Sequence, residues 1–206
     1  MRAATRRETV RGPAGGIECA VDEPQGAARG VALVAHPHPL YGGTLDNKVV
    51  QTLARALVAL GYAAWRPNFR GVGKSEGAYD EGRGEVDDLA AVLAHVGTQR
   101  PVLAGFSFGA AMQARLAARI APERMVLVGI AVNHFEAPAV PAGSLLIHGE
   151  NDATVPIAAV RAWAKPLALA AAVLLWSAAL LWSTQRVSPE ILLAQGATRV
   201  EGDLSL

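Results

Sequence analysis

Val102–Ala114, VLAGFSFGAAMQA, is the stretch whose reading decides the fold. An apolar run from Val102 to Phe106 passes through Gly105-Phe106-Ser107-Phe108-Gly109, and a helical pattern begins directly afterwards. A G-x-S-x-G sequence between a strand and a helix makes a sharp turn. The turn lifts the serine hydroxyl above the sheet, and the flanking glycines let strand and helix pass closely. The positive N-terminal end of the following helix then faces any oxyanion that develops there. Ser107 is therefore the candidate nucleophile, and the N–H of Phe108 is a candidate oxyanion donor.

Upstream, Val31–Gly43 reads VALVAHPHPLYGG, a strand running into a loop of histidines, prolines and glycines. An oxyanion hole beside such a turn takes its second donor from the loop after an earlier strand. Pro37 and Pro39 carry no N–H, which leaves His38 as the backbone donor between them. His36 and His38 lie two apart on an extended segment and would face the same way, as metal ligands can. No carboxylate or cysteine cluster completes such a site, so no metal and no cofactor are expected. Downstream, Leu145–Pro156, LLIHGENDATVP, delivers Asp152 onto a loop just past a late apolar strand. A catalytic acid follows the serine in this chain order, although a turn aspartate ahead of Pro156 is the plainer alternative.

The rest of the chain alternates in the same way. Strands are expected at Gly16–Val21, Val31–His36, Tyr62–Arg66, Val102–Phe106, Met125–Ile130 and Ser144–His148. Helices are expected at Asp46–Leu60, Gly84–Val96, Phe108–Ile120 and Ile157–Trp163. Continuous apolar strands alternating with helices indicate a parallel sheet covered on both faces. The first two expected strands have no helix between them and read as an antiparallel hairpin at one edge. Asp46 and Asn47 can cap the first helix, and Gly61 closes it.

AHPHPLYGGTLDNKVV, RPNFRGVGKSEG, LAGFSFGA and LLIHGENDATVP together resemble the small, cap-less bacterial branch of the α/β-hydrolase superfamily, over about residues 9–163. The resemblance implies an α/β, doubly wound, mostly parallel sheet and a Ser-Asp-His hydrolase, with Ser107 as nucleophile and Asp152 as acid. It also implies that Asn68-Phe69-Arg70-Gly71 shapes the loop after a strand. The substrate implied is a small molecule with an ester or related acyl bond. Between Ile130 and Ser144 there is no room for a cap, so an open site is expected. Two nucleotide-binding patterns near this loop fail: Asn68 stands where a P-loop needs glycine, and Glu76 occupies the last glycine of G-x-G-x-x-G.

One element of the pattern is absent. The histidines are His36, His38, His95, His134 and His148, and none follows Asp152. In an enzyme of this logic, loss of the base alone costs on the order of 10⁶ in turnover. His134 and His148 lie near the ends of late strands and are the candidate substitute bases. His95 falls late in a helix and reads as a surface residue. The alternative to an ester hydrolase is thus a catalytically inactive hydrolase-fold module for binding or membrane tethering, or the product of a truncated or fused gene.

The tail raises the same question. Pro166–Trp182, PLALAAAVLLWSAALLW, has no charge and meets the lower limit for a membrane helix, about 17 residues. With the segment that follows, it weakly resembles the start of a rhomboid-type membrane protein over residues 162–199. The expected organisation is a hydrolase domain at 1–164, an apolar helix at 165–184 and a tail at 185–206. In this reading the last strand is missing, and the helix either spans a membrane or covers the exposed sheet edge. Arg161 and Lys165 ahead of the helix would keep the domain cytoplasmic.

Composition sets outer bounds. The formal net charge of +1 over 206 residues offers nothing to nucleic acid. A single cysteine, Cys19, precludes an internal disulfide and suits a reducing, cytoplasmic setting. Arginines cluster in the first eleven residues with no apolar run behind them, unlike a secretory signal.

Overall fold

The computed structural model describes residues 5–164, 172–176, 190–192 and 200–201. Its strands are β1 (Thr5–Gly12), β2 (Gly15–Asp22), β3 (Gly30–Ala35), β4 (Tyr62–Pro67), β5 (Val102–Phe106), β6 (Arg124–Val128), β7 (Leu145–Gly149), β8 (Ala172–Trp176), β9 (Glu190–Leu192) and β10 (Val200–Glu201). The helices are α1 (Lys48–Ala59), α2 (Arg83–Val96), α3 (Phe108–Ala117) and α4 (Ile157–Ala164), with a short 3-10 turn at Pro39–Tyr41. All strands join one sheet in the order β1-β2-β4-β3-β5-β6-β7-β8-β9-β10. The six from β4 to β8 run parallel, and antiparallel pairs flank them on both sides.

Helices cover both faces, as continuous apolar strands require. On one face α1 buries Val50, Ala54 and Leu57 against Ala32, Val34, Ala64 and Ala104. On the other, α2, α3 and Val160 of α4 pack over Leu33, Trp65, Leu103, Leu127 and Leu146. The Asn47 side chain accepts the N–H of Val49 at 2.9 Å and starts α1. After Leu60, Gly61 leaves α1 at φ 90°, a backbone conformation that glycine adopts without strain.

The chain order reverses between β3 and β5. The connection from β3 runs to β4 on one side, and the next connection crosses back to β5. The carboxyl ends of β3 and β5 therefore lie at the point where chain order reverses, the usual position of a site in an open α/β sheet.

Several expectations are corrected. The edge hairpin is β1–β2, paired from Thr5↔Asp22 to Gly12↔Gly15, while β3 lies inside the sheet. β1 carried little sequence signal because only Val10 of its eight residues is buried. The sheet does not stop at β7: β8 pairs with it in parallel from Leu145↔Ala172 to Gly149↔Trp176. So β7 is not an exposed edge, the strand taken as missing has a counterpart, and residues 172–176 of the expected apolar helix are extended. AVLLW is a short apolar run, which fits an interior strand as well as a turn of apolar helix. Among the described residues no helix is long and apolar enough to cross a membrane. The remainder of the expected 165–184 helix lies outside the described residues, as does most of the 185–206 tail.

Candidate active site

Ser107 links β5 to α3 with φ 53° and ψ −114°. It is one of two non-glycine residues with positive φ among the described residues, the other being Glu81. A non-glycine residue held there is strained by about 1–3 kcal/mol, and the surroundings must enforce it. Three contacts do so. The Ser107 N–H donates to the Val128 carbonyl at 2.9 Å, at the end of β6. A Cβ at Gly105 would lie 2.7 Å from the Ala110 nitrogen, and one at Gly109 would run into the carbonyl oxygens of Ala35 and His36. Both glycines are thus fixed by close backbone approach. The buried Gln113 amide then ties α3 to β3 and β5, donating to the carbonyls of Leu33 at 2.9 Å and Ala104 at 3.0 Å. The Ser107 hydroxyl makes no capping bond to α3, and the residue is half-buried.

The loop after β3 is held from below by His36. Its Nε2 accepts the Phe69 N–H at 2.9 Å, and its Nδ1–H donates to the Pro37 carbonyl at 2.6 Å. Burial pushes its pKa down to about 4, so the imidazole stays neutral, and both nitrogens are occupied. His38 caps the 3-10 turn, its Nδ1 accepting the Leu40 N–H at 3.2 Å. Its carbonyl takes the N–H groups of Tyr41 and Gly43, while its own N–H donates to no backbone carbonyl among the described residues. Phe108 occupies the first position of α3, where a backbone N–H has no partner within the helix.

Asp152 follows β7. Its Oδ1 accepts the N–H groups of Thr154 and Val155, each at 2.9 Å, so the aspartate does shape a turn, using one of its two oxygens. His148 sits behind this turn, 1% exposed, and its Nε2–H donates to the Val155 carbonyl at 2.7 Å. Its Nδ1 is buried and has no partner among the described residues. His134 lies on the exposed loop after β6, with Nε2 3.3 Å from the Thr154 carbonyl and 3.2 Å from Asn133 Nδ2. His134 and Asp152 thus approach the same turn, and His148 is consumed by holding it. Among the described residues no imidazole hydrogen-bonds the Ser107 hydroxyl. His95 pairs with Glu8 at 2.7 Å on the surface.

The Asn68–Gly77 segment is a scaffold. Arg70 grips Asp88 through two bonds of 2.7 and 2.8 Å and the Gly84 carbonyl at 2.8 Å. Asn68 Oδ1 accepts the Leu45 N–H at 2.8 Å, and Ser75 donates to the Asn68 carbonyl at 2.8 Å. The glycine-lysine-serine pattern here is bound to protein: the Lys74 N–H donates to Glu18 at 2.9 Å.

Sequence reasoning missed an aromatic cluster. The His38 ring lies 4.6 Å from Tyr41, 5.0 Å from Tyr79, 5.0 Å from Phe108 and 5.7 Å from Phe135, centroid to centroid. These residues are scattered along the chain, and only the fold assembles them.

The fold agrees with the comparisons: residues 22–202 match the alpha/beta hydrolase family, and the chain belongs to it. The match runs through 162–199, which removes the basis for reading that segment as rhomboid-like. A lid-less α/β serine hydrolase from Xanthomonas campestris is 37% identical, with TM-score 0.73 over 81% of this chain and 80% of that one. An α/β serine hydrolase homologue from Coxiella burnetii is 36% identical, with TM-score 0.74 over 84% and 87%. An uncharacterized protein of Rickettsia prowazekii is 36% identical in an alignment 165 residues long, which covers 70% of this chain and 66% of that protein. This chain therefore spans just under two thirds of the length of that curated relative.

Proposed function

We propose that this chain is a serine hydrolase of ester or related acyl bonds in small molecules. The observation that carries the reading is Ser107, held at φ 53° between β5 and the N-terminus of α3. Strain of this kind persists only where the surrounding structure enforces it, and residues so held cluster at active sites. The Ser107 oxygen attacks the acyl carbon, and its proton passes to an imidazole. The N–H groups of Phe108 and His38 hold the oxyanion. The alcohol leaves with that proton, and water releases the acid and restores the serine.

His134 is the stronger candidate base. It is exposed and meets the turn shaped by Asp152, while His148 is buried with its Nε2–H on Val155. Asp152 retains one oxygen for an imidazole. The connection between β6 and β7, residues 129–144, has no helix or strand, which supports an open site; the Xanthomonas relative is likewise described as having no lid. A second reading, an inactive hydrolase fold that binds without turnover, is favoured by the absence of a hydrogen bond from any described imidazole to Ser107. The proposed setting is cytoplasmic. No part of the reading requires a cofactor or nucleic acid, and none rests on a membrane.

The test is labelling by a fluorophosphonate, in which the serine oxygen displaces fluoride at phosphorus. Labelling lost in Ser107→Ala supports the hydrolase. No labelling of folded protein supports the binding module.

A further inference from the structure

The aromatic cluster has a composition that packing alone does not require. Aromatic residues are 5% of the chain, yet five of its seven Phe and Tyr side chains, Tyr41, Phe69, Tyr79, Phe108 and Phe135, gather around His36 and His38. Phe69 and Phe108 are fully buried and form the floor, with rings 5.2 Å apart. Phe135 stands 4.9 Å from Phe108, edge to face, and Tyr79 stands 6.0 Å from it. Both are only half-buried.

The rim is more exposed still. Among the described residues three large apolar side chains are exposed, and two of them, Leu40 at 65% and Tyr41 at 86%, sit side by side here. Both belong to the 3-10 turn that follows His38. Isolated exposed apolar residues need no explanation, but a contiguous set beside a candidate site does. The turn is well fixed: His38 accepts N–H bonds through both its ring and its carbonyl. Leu40 and Tyr41 are therefore presented to solvent by ordered backbone.

The charged side chains nearest this wall are tied to backbone rather than turned into it. Both oxygens of buried Glu85 are taken by the N–H groups of Asp80 and Gly82, at 2.8 Å each. Arg115 is held by the Glu136 carbonyl at 2.8 Å. Burial also lowers the pKa of the His38 imidazole, which favours its neutral form. The same residues that offer the candidate oxyanion donors, His38 and Phe108, carry the wall. A carbonyl seated on those donors has apolar surface directly beside it.

We propose that the wall formed by His38, Leu40, Tyr41, Tyr79 and Phe135 is a subsite for an uncharged aryl or bulky alkyl group of the substrate, which makes the substrates apolar esters. The proposal rests on the hydrolase reading for its chemistry, but binding at the wall does not depend on Ser107 being reactive. Its test therefore uses Ser107→Ala protein, which cannot turn the ester over. The ring protons of the five histidines are followed by NMR while methyl benzoate, phenyl acetate or monomethyl succinate is added.

The expected result is saturable shifts at His38 with an aryl ester and none with the charged monomethyl succinate. Tighter binding of methyl benzoate assigns the wall to the acyl side, and tighter binding of phenyl acetate assigns it to the alcohol side. Adding Leu40→Ser and Tyr41→Ser, both solvent-facing, should weaken aryl ester binding at least tenfold. No saturable shift, an equal response to monomethyl succinate, or affinity unchanged by the double substitution would overturn the subsite. Loss of phosphonate labelling in the parent protein, with aryl binding intact, would overturn the hydrolase reading and leave the subsite standing.

Discussion

The His36 imidazole accepts the backbone N–H of Phe69 at 2.9 Å, joining the loop after β3 to the loop after β4 beneath the candidate site. The bond requires an unprotonated Nε2, and burial pushes the His36 pKa from its ordinary 6.5 down to about 4. The unfolded chain therefore binds a proton between pH 6.5 and about 4 that the folded chain does not. Stability from this group is fully present above pH 6.5 and declines as pH falls toward 4, by at most about 3 kcal/mol. Urea unfolding at pH 7, 5.5 and 4.5 should show this decline. His36→Gln, whose carbonyl oxygen can still accept from Phe69, should flatten it. An unchanged slope in the variant would assign the acid sensitivity elsewhere.

Ser107 is strained at φ 53°, and glycine is not. Ser107→Gly should raise stability by about 1 kcal/mol while abolishing phosphonate labelling. Thermal melting of wild type and variant checks the sign. A variant that melts lower would mean the serine is comfortable where it stands.

The Arg70–Asp88 pair is nearly buried, with side-chain exposures of 11% and 4%. Removing one partner leaves the other charge without compensation, so Asp88→Ala should cost about 3–5 kcal/mol. Because Arg70 also holds the Gly84 carbonyl, the change should loosen the start of α2 as well. Denaturant titration gives the first quantity. Amide exchange at residues 84–88 gives the second, and unaltered exchange there would restrict the effect to the pair.

His134 and His148 separate by role. His134→Ala should remove phosphonate labelling with little change in melting temperature, since the side chain is exposed. His148→Leu should lower stability by about 1–3 kcal/mol, because the Val155 carbonyl loses its donor. His148→Gln, which can offer an N–H in its place, should recover part of that loss. Labelling that survives His134→Ala would dismiss it as the base.

Much of the scaffold could be read from the residues because local chemistry and global fold agree there. Val102–Phe106 was read without error, its continuous apolar run being what an interior parallel strand requires. The Ser107 elbow was legible because both glycines answer to backbone approach, a constraint written into local sequence. β1 was not legible: it is a solvent-facing edge with only Val10 inside. β8 was misread because length and apolarity do not separate a short interior strand from an apolar helix. The Asp152 turn was foreseen as one of two alternatives, and its hydrogen bonds leave room for both. The aromatic wall had no local signature at all, since its rings come from residues 41 to 135 and meet only through the sheet.

The contact at Gly109 constrains how relatives of this protein can diversify. The start of α3 rests against the carbonyls of Ala35 and His36 with no room for even a methyl group. The spacing between the ends of β3 and β5 is therefore set by main chain, before any substrate arrives. A lineage acquiring new specificity has little to gain from altering the elbow, where almost every change collides with backbone. Room for variation lies instead in the peripheral segments at 38–43, around Tyr79 and at 129–144, margins around a point that backbone contact holds fixed.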